Sequence, residues 1–156
     1  MGATELALDT AAAGSAATAL TTATILCLGA ERDATMWAPL NAVSHIAFGD
    51  EAAGHTELSA KYTGTGTALN TAAIFSWAAV HAGVMKLLPR QDLAAAAGAG
   101  AAVAALAYVT DYHVVPRRLT PGFEKRLSGR SIFWIYSALA AGLAAGWAAN
   151  RSRAAR

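Results

Sequence analysis

The sequence predicts an all-α integral membrane protein, a four-helix bundle with an additional short interfacial or re-entrant helix between spans 1 and 2. Two observations lead to this prediction. The chain of 156 residues is 55% hydrophobic and only 14% charged, whereas soluble domains carry roughly 25% charged residues. The charged residues also leave four long gaps, each close to the roughly 20 residues that an α-helix needs to cross a bilayer.

These gaps define four predicted spans in a single transmembrane domain covering 1–156. The spans are expected at about 10–30, 67–88, 93–115 and 131–150. A soluble bundle of alanine-rich helices is the alternative, because alanine favours helices but inserts weakly into membranes. Such a bundle needs a charged helix face, and the four gaps contain none.

The first gap is expected to be a span and not a cleaved signal peptide. A signal peptide begins with basic residues, whereas Glu5 and Asp9 precede this gap. Both acidic residues are accordingly placed outside the membrane. The four gaps then contain no charged group that could couple transport, which disfavours a small transporter.

The connection after span 1 contains a mostly apolar segment at about 36–49. The segment is too short to span a bilayer comfortably. Pro39 fits the first turn of a helix, and Trp37 fits an anchor at the membrane interface. We therefore expect a short helix here, while a crossing by this segment would raise the count to five spans.

The orientation in the membrane is only weakly determined by the basic residues. With four spans, seven basic residues lie on the side of the 1–2 and 3–4 connections and five on the side of the termini. The positive-inside rule then slightly favours both termini outside. The five are Lys86, Arg90, Arg151, Arg153 and Arg156.

Small residues recur at helical spacing in three of the spans, which predicts close packing of helices within lipid. Gly142 and Gly146 form a GxxxG pair in span 4. A homodimer or a larger membrane complex is an open alternative to packing within one chain. The other two stripes are Ala94, Gly98 and Ala102 in span 3, and Gly14, Thr18 and Thr22 in span 1.

Several polar residues fall within or beside the spans, where polar side chains usually face the bundle interior. Asn70, Trp77 and His81 lie on one helical face, as do Asn41 and His45 of the short helix. Near the end of span 3, Asp111 is expected to pair with Arg117 or Arg118, or with a histidine. The candidate polar site comprises Asn41, His45, Asn70, Trp77, His81, Asp111 and His113.

Two roles are open for this polar site. One is structural, with hydrogen bonds that lock the bundle. The other is a haem or transition-metal site, a proton relay or a small transporter, built from intramembrane histidines. No HxxxH, HExxH or CxxCH spacing occurs, and neither does a GxSxG turn or a P-loop. No cofactor is therefore predicted, the metal is unknown, and a non-enzymatic protein is expected.

The loop between spans 3 and 4 is the most basic part of the chain. Basic side chains beside a bilayer attract anionic headgroups at about 1 kcal/mol each, so lipid contact is predicted, with control of topology as the alternative. A net charge of +2 is too small to indicate a nucleic-acid partner. The predicted headgroup contacts are Arg117, Arg118, Lys125, Arg126 and Arg130.

Two stretches resemble small polytopic bacterial inner-membrane proteins of unknown function. They are Asn41 to Glu51, with its Asn-Ala-Val-Ser-His and Gly-Asp-Glu sequences, and Asp111 to Phe123. The resemblance implies a multi-pass protein of a bacterial inner membrane and brings no known activity. The expected function is an accessory, assembly or lipid-contacting membrane module.

Overall fold

A computed structural model describes residues 2–154 and confirms the all-α prediction, because this part of the chain is helical and has no strand. The four long helices are α1 (Ala3–Arg32), α4 (Thr65–Leu87), α5 (Leu93–Val109) and α6 (Gly129–Ala154). Two short helices, α2 (Ala38–Val43) and α3 (His45–Phe48), occupy the predicted 36–49 segment. Pro39 lies in the first turn of α2, as the sequence predicts.

Within residues 2–154, four helical segments are long and apolar enough to cross a membrane: Ala3–Arg32, Ala60–Leu87, Leu93–Val114 and Gly129–Ala154. Two of them contain a π-helical turn, at Ala60–Gly64 before α4 and at Thr110–Val114 after α5. Single π turns inside helices occur frequently at functional sites. The chain turns extended at Val115 because the following residue is Pro116.

The predicted start of the first helix at about residue 10 is wrong, since α1 begins at Ala3. The sequence argument placed Glu5 and Asp9 outside the membrane because they are charged. In the structure Glu5 accepts a hydrogen bond from the backbone N–H of Gly2 at 3.1 Å, which satisfies a free donor of the first turn. Asp9 is buried against partners from α6, so its charge does not end the helix.

The described residues form two compact units. The first contains 2–21, 73–107 and 136–154, and the second contains 22–72 and 108–135. The first unit has an apolar core in which alanines fill the space between a few large side chains, among them Ile74, Met85, Leu143 and Trp147. Such a core requires close backbone approach, because alanine fills little volume.

The two glycines of the GxxxG pair provide this approach within the first unit. A Cβ on Gly142 would collide with the backbone of Ala17, and one on Gly146 would collide with the backbone of Ala12. Residue numbers rise along α1 as they fall along α6, so the two helices are antiparallel. The pair is therefore used for packing inside the chain.

The other small-residue stripes differ in their surroundings. Gly14 of α1 lies against the ring of Phe75, where an added Cβ would be 2.9 Å from Cδ1. By contrast, Ala94, Gly98 and Ala102 of α5 are exposed, and no atom lies within 4 Å of a Cβ built on Gly98. The stripe in α5 is thus an open surface of the first unit.

The second unit brings the connection that follows α1 together with the loop that precedes α6. Gly122, with φ of +86°, lies so close to α2 that an added Cβ would be 2.6 Å from the carbonyl oxygen of Ala42. The backbone of Gly66 at the start of α4 lies against that of Leu40. Two glycines therefore fix α2 between α4 and the loop.

Candidate functional site

Asn41 of α2 is the centre of a buried hydrogen-bond network in the second unit. Its amide nitrogen donates to the carbonyl oxygens of His55 at 3.0 Å and Glu57 at 2.8 Å. Its amide oxygen accepts from the Thr63 hydroxyl at 2.6 Å. The side chain is completely buried. Because both amide protons and the oxygen are engaged, Asn41 organises the connection and has no donor left for a ligand.

His45 lies at the start of α3 and is also buried, with 1% of its surface exposed. Its Nδ1 is 2.9 Å from the carbonyl oxygen of Ala42. Because a carbonyl only accepts, Nδ1 carries a proton and donates it to this carbonyl. Nε2 is buried and has no hydrogen-bond partner among the described residues. Gly122 fits against the same Nδ1, so a larger residue there would displace the imidazole.

The π turn Thr110–Val114 places Asp111, Tyr112 and His113 on consecutive positions. His113 is exposed, and its ring packs edge-on against Tyr108 with 5.7 Å between centroids. The expected pairing of Asp111 with Arg117, Arg118 or a histidine stays a prediction. Arg118 donates from Nε to the carbonyl oxygen of Ile46 at 3.1 Å.

Three of the five basic residues predicted to contact lipid hold the second unit together. Arg118 binds the Ile46 carbonyl, and Lys125 lies 2.8 Å from the Asp50 carboxylate. Arg126 forms a two-point pair with Asp33, at 2.6 and 2.8 Å. The hydrogen bond from Lys125 holds the pKa of Asp50 below its ordinary value of 3.8, and the charge of Lys125 adds to the effect.

Arg117 and Arg130 differ from these three. Both are exposed, and neither side chain has a hydrogen bond or an ion pair within residues 2–154. Arg117 begins a 3₁₀ turn, Arg117–Leu119, and Arg130 lies in the first turn of α6. The predicted headgroup contacts are therefore of two kinds, three that are engaged inside the protein and two that are not.

A ring cluster lies at the edge of the second unit. The rings of His55 and Tyr62 stack with 3.8 Å between centroids, and Phe48 packs edge-on against Tyr62. The ammonium of Lys61 lies 4.8 Å from the centre of the Phe48 ring and 3.0 Å from the Tyr62 hydroxyl. These residues are spread over positions 48–62 without a regular spacing, so the sequence does not predict the cluster.

The stripe of Asn70, Trp77 and His81 is divided between the two units. Asn70 belongs to the second and is half-buried, and its amide nitrogen has no partner among the described residues. Trp77 and His81 belong to the first, where His81 is fully buried. The Nε2 of His81 donates to the carbonyl oxygen of Ala96 at 3.1 Å, which ties α4 to α5.

Sequence reasoning missed a polar cluster in the first unit. The carboxylate of Asp9, which is 1% exposed, accepts from the Asn150 amide at 2.7 Å and from Arg151 at 2.8 Å. Arg151 also binds Glu5 at 3.0 Å and lies over the Trp147 ring. Asp9 follows Glu5 by one helical turn, and this spacing was the available signal that both acids share one face.

The seven predicted polar residues are divided between the two units. Asn41, His45, Asn70, Asp111 and His113 lie in the second unit, and Trp77 and His81 in the first. Over residues 2–154, no three His, Cys, Asp or Glu side chains form a group that could hold a metal ion. Asn41 and His81 have defined structural partners, and His45 retains an unused buried nitrogen.

No protein-family model, curated protein or solved structure matches the chain significantly.

Proposed function

We propose that the protein is a non-enzymatic, multi-pass membrane module with four crossings, which acts through helix packing and lipid contact as an accessory or assembly component. The resemblance of Asn41 to Glu51 and Asp111 to Phe123 to small polytopic bacterial proteins supports a location in a bacterial inner membrane. The observation that carries the proposal is the buried contact between Asp9 of α1 and Arg151 of α6. It brings the start of the first long helix beside the end of the last one.

This contact bears directly on the number of crossings. If the start of α1 and the end of α6 lie on the same side of a bilayer, the chain crosses it an even number of times. Four long helices satisfy this condition, whereas a fifth crossing by residues 36–49 does not. We therefore assign α2 and α3 to an interfacial segment.

The surfaces of the long helices also support membrane insertion. Large apolar side chains are exposed along them, including Leu20 of α1, Val80 of α4 and Leu106 of α5. Such side chains destabilise a protein in water when they form a continuous surface, but they fit a lipid environment. The hydrogen bonds of Asn41 and His81 to backbone groups support a structural role over a catalytic one.

Cysteine accessibility tests the proposed topology. Cys27 is exposed and is first replaced by serine, and single cysteines are then placed at Ser59, Ser128 and Gln91. In intact cells or sealed vesicles, Ser59→Cys and Ser128→Cys should react with a membrane-impermeant maleimide from one side, and Gln91→Cys from the other. Labelling of Ser59 and Ser128 from opposite sides contradicts four crossings. Release of the protein by alkaline carbonate contradicts membrane insertion altogether.

The unused nitrogen of His45 favours a second candidate, binding of haem or a transition metal. Histidines that ligate metals commonly donate their other ring N–H to a carbonyl oxygen, as His45 does. A single histidine is enough to ligate the iron of some haems. Detergent-purified protein supplied with haemin should then show a Soret band that His45→Leu removes and His113→Leu retains. This candidate is eliminated if the absorbance spectrum of the mixture is that of free haemin and if elemental analysis of the purified protein finds no metal.

A further inference from the structure

The loop between α5 and α6 begins and ends with an arginine that has no partner inside the described chain. Arg117 follows the third candidate span, which ends at Val114, and Arg130 is the second residue of the fourth, which begins at Gly129. Both positions therefore fall where an apolar helix meets the polar connection. If the spans cross a bilayer, this is the level of the lipid phosphates.

Large exposed apolar side chains flank each of these two arginines. Val114 and Leu119, on either side of Arg117, are 69% and 51% exposed. Phe133 and Trp134, one turn beyond Arg130 on α6, are 63% and 50% exposed. A basic head beside apolar groups is the arrangement of side chains that bind a phosphate while their neighbours enter the acyl region. Tryptophan is itself enriched at this level of the membrane.

The other basic residues of the loop differ from Arg117 and Arg130, because their side chains are bound inside the second unit. Three basic side chains already have partners in the second unit. Arg118 binds the carbonyl oxygen of Ile46, Lys125 binds Asp50, and Arg126 binds Asp33. Binding of a lipid phosphate by any of these three would first break a contact inside the second unit. Binding of a lipid phosphate by Arg117 or Arg130 breaks no such contact, so the attraction between phosphate and guanidinium is not offset by a loss inside the protein.

We infer that Arg117 and Arg130 are the headgroup-binding residues of an anionic phospholipid surface, and that Arg118, Lys125 and Arg126 are not. The ligand class is a membrane lipid with a negatively charged phosphodiester headgroup, such as phosphatidylglycerol. Guanidinium groups suit it because their planar donors match phosphate oxygens. This inference rests on the proposed membrane insertion and adds to it the lipid class and the two residues that select it.

Native mass spectrometry of the delipidated protein in detergent can test the inference, with phosphatidylglycerol and phosphatidylcholine of equal chain length as probes. The wild type should bind phosphatidylglycerol in preference. Arg117→Gln and Arg130→Gln should each weaken that binding about fivefold, which corresponds to about 1 kcal/mol per basic residue. The double variant should lose roughly 25-fold if the two residues act independently. Binding of phosphatidylcholine should be unchanged.

Two matched variants keep the result interpretable. Lys86→Gln with Arg153→Gln removes the same charge from exposed residues of the first unit and should leave the lipid preference intact. Arg118→Gln with Arg126→Gln should lower the melting temperature and leave the preference of the remaining folded protein intact. The inference is overturned if the first control reduces binding as much as the Arg117 and Arg130 pair does, or if that pair has no effect. A protein that stays membrane-inserted without any such preference would overturn this inference and leave the proposed topology standing.

Discussion

The carboxylate of Asp9 lies 2.8 Å from the guanidinium of Arg151, across 142 positions of sequence. Asp9 is almost fully buried, whereas the Arg151 side chain is 27% exposed and is also bound to Glu5. The pair therefore combines a buried acceptor with a donor at the edge of the first unit. It joins α1 to α6 beside the close contacts of Gly142 and Gly146.

Replacement of Asp9 by leucine should destabilise the protein by roughly 3 kcal/mol, because it leaves the Asn150 and Arg151 donors without their buried acceptor. Reversible unfolding in mixed micelles would measure the loss. Glu5→Gln is the matched control and should have a much smaller effect, since that carboxylate is half exposed and water screens its ion pair. Equal effects of the two substitutions would show that Asp9 is not the buried anchor.

Gly146→Leu should destabilise the protein by about 2 kcal/mol or more, because the added side chain has no space against the backbone of Ala12. Gly98 provides the opposite case on α5, where the surrounding space is open. Gly98→Ala should be neutral or should stabilise the helix by up to about 1 kcal/mol, as expected from helix propensity. Thermal unfolding of both variants in the same detergent makes the comparison, and a harmless Gly146→Leu would contradict the α1–α6 packing.

Asn41→Ala should loosen the second unit locally. The substitution leaves the carbonyls of His55 and Glu57 and the hydroxyl of Thr63 without their partner, at about 1–3 kcal/mol for a buried unsatisfied group. Hydrogen exchange should accelerate over residues 52–64 and remain unchanged over residues 93–107. Gln91→Ala, at an exposed turn position, is the control. Uniform acceleration across the whole chain would indicate global unfolding and contradict a local role.

The ion pair between Asp50 and Lys125 predicts an acid limit for the second unit. The pKa of Asp50 is lower in the folded protein than its ordinary value of 3.8. The stabilisation is therefore complete above the unfolded pKa and is lost as the pH falls through the folded one. The protection factors of amides near residues 117–127, which are the intrinsic exchange rates at each pH divided by the observed ones, should decrease as the pH is lowered below about 4.

The variants Asp50→Asn and Lys125→Gln isolate this effect. Each should show faster exchange near neutral pH than the wild type and a weaker change on acidification, because the titrating pair is gone. An acid response in Asp50→Asn as steep as that of the wild type would assign the titration to another carboxylate.

The long helices were predictable because their determinants are local. Apolar runs of sufficient length are visible in the sequence. The start of α1 was misplaced because the cost of burying Asp9 depends on Arg151, a partner supplied by a distant helix. A charge-based boundary rule has no access to that partner.

The candidate site was less predictable for the same reason. The network of Asn41 depends on carbonyls at positions 55 and 57, and the sequence shows only that an amide is present. Likewise, the sequence does not distinguish the five basic residues of the loop between α5 and α6 from one another. The structure distinguishes them because three of the five have a partner within hydrogen-bond distance, namely Asp33, Asp50 or the Ile46 carbonyl. Helical periodicity correctly placed His81 on an inward face, but not its acceptor, the Ala96 carbonyl.

Because α1 and α6 are antiparallel neighbours, the order in which the chain connects the long helices can be changed. With Glu5 and Arg151 only 3.0 Å apart, a short glycine-rich linker can join the start of α1 to the end of α6. New ends can then be opened at the exposed turn around Gln91. Such a circular permutant would preserve every helix and every interhelical contact, while the order in which the helices leave the ribosome would change.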